Sequence, residues 1–124
     1  MTPSPWTYFT EEELSCHCLD CDFGPEKMDD QFMTNLVALR AECNFPFPFT
    51  SAIRCPQHNM NESSTGPNGP HTTGRAVDIA VNRGRARILM ANADAIRFPG
   101  LGVQQKGVKR FIHLDGLDIR TWSY

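Results

Sequence analysis

Helix-period and strand-period segments follow one another in irregular order, which predicts an α+β fold: a small antiparallel sheet with helices packed against it. Two observations carry this. Phe32, Met33, Leu36, Leu39 and Cys43 recur at helical spacing behind Asp29. "GLGVQQ" and "RFIHLDG" are short runs separated by a turn at Lys106 and Gly107, the pattern of two paired strands. A third observation sets the scale: 124 residues suit one domain, 1–124, with a single core.

In chain order, "FTEEELS" starts a helix, with Thr10 as cap and Glu13 three residues on. "CHCLDCDFGPEK" reads as a loop. The helix from Asp29 to about Cys43 ends at "NFPFPF", because proline removes a donor and disfavours helix before it. "FTSAIR" is a short strand, and "CPQHNMNESSTGPNGP" a long loop rich in Asn, Ser, Gly and Pro. Val77–Val81 reads as a buried strand. Asn82 is expected to cap a helix running to about Ile96, with Ile88, Leu89, Ala93 and Ile96 facing inward. The two strands around Lys106 and Gly107 follow, and Trp122 and Tyr124 read as a cleft wall or, more simply, as a packed C-terminal anchor.

Composition narrows the function classes. Hydrophobic residues are 40% and charged residues 21%, which fits a globular chain. The formal net charge of -2 points to no nucleic-acid partner, although Arg83, Arg85, Arg87, Lys106, Lys109 and Arg110 are locally basic. No apolar run approaches the ~20 residues of a membrane span. "MTPSPWTYFTEEELS" has neither a basic start nor an apolar stretch, so no signal peptide and synthesis in the cytoplasm are expected. A monomer is expected.

One stretch, "GPHTTGRAVDIAV", sets His71 and Asp78 on either side of a compact turn. Imidazole and carboxylate are both zinc ligands, and a hydrolytic zinc site typically has three protein ligands and one open position. His113 on "FIHLD" is the third candidate, facing away from Ile112 and Leu114, with Asp115 on its own face. On spacing alone the bland readings are the simpler ones: a loop hydrogen bond for His71 and Asp78, a satisfied histidine at His113, a turn residue at Asp115. The HExxH helix signature is absent from the sequence.

The details of the motif add to this. "HTTGRAVDI" followed by "FIHLD" resembles the HxxGxAxD…H pattern of the zinc D-alanyl-D-alanine carboxypeptidases and related phage endolysins. That group shares a fold with lysostaphin-type peptidases and the hedgehog signalling domain. "TSAIRCPQHN" resembles its S-x-[YF]-R-C-P-x-H-N segment, "FTEEELSCHCLDC" the cysteine-bearing N-terminus of its short members, and "HLDGLDIRTWSY" their C-terminal end.

The resemblance implies one zinc held by His71, Asp78 and His113, with Gly74 and Ala76 letting the loop histidine and strand aspartate converge. It implies hydrolysis of a peptide bond in bacterial peptidoglycan. Arg54 corresponds to an arginine that faces the substrate carbonyl, a sensible place for a fixed cation; the competing role is a structural salt bridge. Many relatives carry a Glu or Asp three residues before the last histidine as general base. Arg110 fills that position here and cannot serve. Asp115 is the candidate base in its place, with Asp118 second; the competing role for Asp115 is to accept the free N–H of a zinc-bound histidine. His58 and Asn59 are expected to brace the long loop.

Three sulfurs cluster in "SCHCLDC", Cys16, Cys18 and Cys21, while Cys43 and Cys55 stand apart. A second metal site completed by Cys43 or Cys55, a disulfide to Cys55, and reduced buried thiols all fit this pattern. Absence of a signal peptide and small size suit a phage endolysin reaching the wall through a holin-made opening or riding in a virion. The alternatives are a zinc-bearing binding module, favoured if neither Asp115 nor Asp118 reaches the metal's water, and a structural virion protein without metal.

Overall fold

The computed structural model describes residues 2–18, 21–62 and 69–124, with the side chains of His58, Asn61 and Glu62 outside the description. Four α-helices are present among these residues: α1 (Glu11–Leu14), α2 (Asp30–Cys43), α3 (Pro56–Glu62) and α4 (Arg83–Asn92). Five strands, β1 (Phe49–Ser51), β2 (Ala76–Ile79), β3 (Gly100–Gln104), β4 (Phe111–Asp115) and β5 (Arg120–Ser123), form one sheet in the order β1-β2-β4-β3-β5. The α+β class holds. The sheet is antiparallel except at one edge, where β5 runs parallel to β3.

Local chemistry explains most boundaries. Thr10 and Glu13 form a reciprocal capping box on α1. Asp29 caps α2 by accepting from the Phe32 amide at 2.9 Å, and Asn44 ends it in the left-handed conformation at φ 57°. The five apolar positions expected on the inner face of α2 are all buried. Ile112 and Leu114 of β4 and Val77 and Ile79 of β2 join Leu36, Leu39 and Leu89 in one hydrophobic cluster. Helices therefore cover one sheet face, and the alternate residues of the strands point to the other.

Four expectations need correction. α4 stops at Asn92, leaving Ile96 94% exposed and Ile88 exposed; only Ala86 and Leu89 of this helix are buried. The chain turns there because Asp94 accepts from the Arg97 amide and side chain, while the Arg97 guanidinium also grips Glu42 of α2 at 2.9 and 3.0 Å. Asn82 sits at the cap position, but its side chain makes no capping bond. The segment after Cys55 begins with α3, which has proline at its first position and takes its first turn from the Asn59 amide to the Cys55 carbonyl. The strand read as "FTSAIR" ends at Ser51, because Ala52 and Arg54 direct their backbone to His71 instead of to the sheet.

Gly74 explains the turn in "GPHTTGRAVDIAV". Its φ is 76°, and a Cβ there would overlap the Lys27 carbonyl oxygen; its own carbonyl accepts from the Asp29 amide at 2.8 Å. The turn is thus docked onto the start of α2, which fixes the approach to β2.

Candidate metal centre

The register of the sheet brings the expected residues into rows. Ser51, Asp78, His113, Gly102 and Trp122 are neighbours across β1, β2, β4, β3 and β5. The next row holds Ala76, Asp115, Gly100 and Arg120. His71 arrives from outside the sheet, on a single 3-10 turn, Pro70–Thr72, that hangs over the first row.

His71, Asp78 and His113 are all buried and offer ligand atoms within 4.8 Å of one another. Asp78 Oδ1 lies 3.2 Å from His71 Nε2 and 2.9 Å from His113 Nδ1. Two ligands about 2.0–2.1 Å from a tetrahedral zinc are themselves ~3.3 Å apart, close to these separations. The remaining ring nitrogens are occupied. His71 Nδ1 donates to the Ala52 carbonyl at 2.8 Å, and His113 Nε2 donates to Asp115 Oδ2 at 2.7 Å. Each imidazole is therefore oriented with its other nitrogen toward Asp78, the arrangement that prepares a metal ligand.

The electrostatics agree with a cation at this point. Burial alone would raise the Asp78 carboxyl, but hydrogen bonds from His113 and His71 hold it well below the usual carboxylate range. Burial likewise opposes charge on His113, and is outweighed by its bonds to Asp115 and Asp78, which raise it. A divalent ion held by Asp78 and the two imidazoles would balance the buried carboxylate. The donor set, two imidazoles and one carboxylate, is one that zinc accepts.

Asp115, expected to act as base, occupies a different place. It is fully buried against the opposite ring nitrogen of His113, and the Arg120 guanidinium clamps it with two bonds, at 3.0 and 2.7 Å. Burial would raise its carboxyl, yet His113 and Arg120 lower it. Its side chain fills the space above Gly100, where a Cβ would overlap the carboxylate. Asp118 is exposed and gives its backbone carbonyl to Arg120.

The model of the peptidase M15 family covers residues 7–115.

The chain belongs to the peptidase M15 family.

That places it among metallopeptidases. No curated protein matches the chain in a sequence search. The matched segment of this M15 chain includes His71, Asp78 and His113 and stops at Asp115, just short of β5. Arg120 and Trp122, which complete the site from β5, lie beyond it.

The face that carries His71, Asp78 and His113 opens into a cleft of about 1140 Å3. Arg54 lies in it, with Nη2 3.9 Å from Asp78 Oδ2 and Nη1 donating to Asn59 Oδ1 at 3.2 Å. Asn59, expected to brace the loop, is fully buried and braces Arg54; the side chain of His58 lies outside the described residues. Trp122 and Tyr124 line the cleft as well as anchoring the chain: the Trp122 ring lies 5.1 Å from that of His113 and covers Gly102. Lys109 and Arg110 also line it. Among the described residues, Asp78 is the one carboxylate lining this cleft.

Sequence reasoning missed Arg120, Gly100, Gly102 and the Ala52 carbonyl. The first three had a trace: "GLG" places two glycines two apart, and "IRTWS" places Arg120 and Trp122 two apart, both at strand period. The carbonyl had none.

Proposed function

We propose that the chain is a zinc-dependent peptidase that cleaves peptide bonds in bacterial peptidoglycan, in stem peptides or cross-links, in the manner of a phage endolysin. The observation that carries this reading is the convergence of His71 Nε2, His113 Nδ1 and Asp78 Oδ1 at the floor of an open cleft in an M15 chain. Action at the cell wall, as a monomer reaching it through a holin-made opening or within a virion, belongs to the same proposal.

A zinc ion held by these three residues would acidify a water and polarise a carbonyl oxygen. The protein's own groups do the rest. Arg54, held by Asn59, sets a fixed positive charge beside Asp78 where a carbonyl oxygen gaining charge would be stabilised. Tyr124, its hydroxyl pushed up chiefly by burial and further by Asp78, keeps its proton and serves as a donor at the cleft wall. Phe111 and Trp122 provide an apolar wall, while Lys109 and Arg110 suit the carboxylates of an anionic stem peptide. Asp115 acts as a positioning residue: it accepts the Nε2 proton of His113 and so directs Nδ1 at the metal. Of the two roles the sequence left open for Asp115, base or partner of a ligating histidine, its contacts favour the second.

Digestion of purified peptidoglycan, with muropeptides read by mass spectrometry, tests the proposal and distinguishes the carboxypeptidase, L-alanyl-D-glutamate and cross-link endopeptidase outcomes. One observation favours a second reading, a zinc-bearing binding module: neither Asp115 nor Asp118 faces the cleft. Retention of muropeptides by zinc-loaded protein without any cleaved product would select it.

A further inference from the structure

The second cluster of ligands lies away from the His–Asp centre. Cys16, Cys18 and Cys21 of the N-terminal loop meet Cys55, whose sulfur atoms all fall within 4.8 Å of one another. Cys18 Sγ is 3.6 Å from Cys16, 3.6 Å from Cys55 and 2.8 Å from Cys21. None of these is a disulfide, whose sulfurs sit about 2.05 Å apart. Ligands about 2.3 Å from a tetrahedral metal lie ~3.8 Å apart, so most of these separations are near those of a closed thiolate cage. The Cys55 amide donates to Cys16 Sγ at 3.3 Å, the kind of contact that supports a negatively charged sulfur. Cys43, buried at the end of α2, is not part of the group.

We propose that Cys16, Cys18, Cys21 and Cys55 bind a second, structural zinc. Four thiolates leave no open position, and tetrahedral sulfur coordination selects zinc or iron among common metals, so this ion has a structural and not a hydrolytic role. Its place explains what it stabilises. Cys55 follows Arg54 directly and opens α3, which carries Asn59. On the other side, the Arg54 amide donates to the His71 carbonyl at 2.9 Å. A knot at Cys55 therefore ties the N-terminal loop to the segment that presents Arg54 and meets His71. The other two readings of the cysteines, disulfides and buried thiols, become outcomes of the test.

The test is elemental analysis of the full chain purified under reducing conditions, beside the His71→Ala/His113→Ala variant. Two zinc equivalents in wild type and one in the double variant are expected. The double variant reloaded with cobalt(II) should show intense sulfur-to-cobalt charge-transfer absorption. In wild type, an organomercurial reagent should release one equivalent with no change at the other. A metal-free double variant beside a wild type holding one equivalent overturns the cysteine site and leaves the His–Asp centre standing. One equivalent in wild type that the double variant retains, with the cobalt band, supports the cysteine site and defeats the His–Asp centre. Two disulfides in the intact mass after alkylation without reductant, or iron in place of zinc, overturn the proposal. Mercurial titration needs no substitution, so a variant that fails to fold does not block the result.

Discussion

Asp115 and Arg120, on strands separated by β3, meet across Gly100 through two hydrogen bonds, and the same carboxylate holds His113 Nε2 at 2.7 Å. The reach is open because the intervening residue has no side chain. The His113 ring, a candidate metal ligand, is thus oriented by a chain of contacts that ends at the sheet edge.

Asp115→Asn is expected to retain the fold and to weaken zinc binding about 10–100-fold, the usual effect of losing a carboxylate behind a ligating histidine. Activity should return with added zinc. A zinc titration followed by an activity assay checks this; a rate loss that excess zinc does not repair would return Asp115 to a direct role in the reaction.

Arg120→Ala leaves a buried carboxylate with His113 as its remaining charged partner. Breaking a fully buried pair costs roughly 3–5 kcal/mol; with Arg120 about a third exposed, a loss of ~2 kcal/mol is expected. Urea unfolding of the metal-free protein measures it. Unchanged stability would mean that the clamp contributes only orientation.

Gly100→Ala should be more damaging than its size suggests, because the new methyl overlaps the Asp115 carboxylate. A stability loss of about 1–3 kcal/mol with reduced zinc content is expected. Gly107→Ala is the control: nothing lies near its Cβ, so any cost there comes from its φ of 74° alone and zinc content stays at wild-type level.

Arg54→Ala is expected to lower kcat by about 10²-fold, as for other lost oxyanion donors, with Tm close to wild type. A large fall in Tm with kcat retained would identify the 3.9 Å contact to Asp78 as a structural ion pair instead.

Metal-free and zinc-loaded protein should respond oppositely to pH. His113 is raised above its ordinary 6.5, so its contribution to the metal-free fold is complete below that pH and is lost as pH climbs through the raised value. Asp78 and Asp115 are lowered, so their contribution is present above the ordinary carboxylate range and is lost on acidification through their lowered values. Zinc requires the unprotonated imidazole, so loaded protein gains stability as pH rises over the same window. Thermal melts across pH 6 to 9, with and without chelator, check the crossing; parallel curves would show that His113 does not change protonation with metal.

The sequence was most legible where a signal is local. The capping box at Thr10 and Glu13, the inner face of α2 and the alternation of Ile112, His113 and Leu114 each depend on neighbours within a turn or a strand, and each matches the structure. The three candidate ligands were readable because their motif is compact and His113 alternates with core residues. What failed depends on distant partners. Ile96 matches the helical period of α4, yet the Arg97 contacts to Glu42 and Asp94 turn the chain before it. Asp115 shares a face with His113, but only the pairing of β5 beside β3 reveals that Arg120 occupies its carboxylate. Cys55, which the sequence offered beside Cys43 as a partner of the N-terminal cysteines, joins them from 37 positions beyond Cys18, a separation with no periodic trace to choose between the two.

The placement of β5 has a consequence for biosynthesis. Of the five strands it is the last to leave the ribosome, and its place is at the sheet edge beside β3. Until Arg120 and Trp122 arrive, Asp115 has no guanidinium and the His113 ring has no aromatic cover. A nascent chain that has not yet delivered β5 would therefore carry His71, Asp78 and His113 without the clamp that orients the His113 ring.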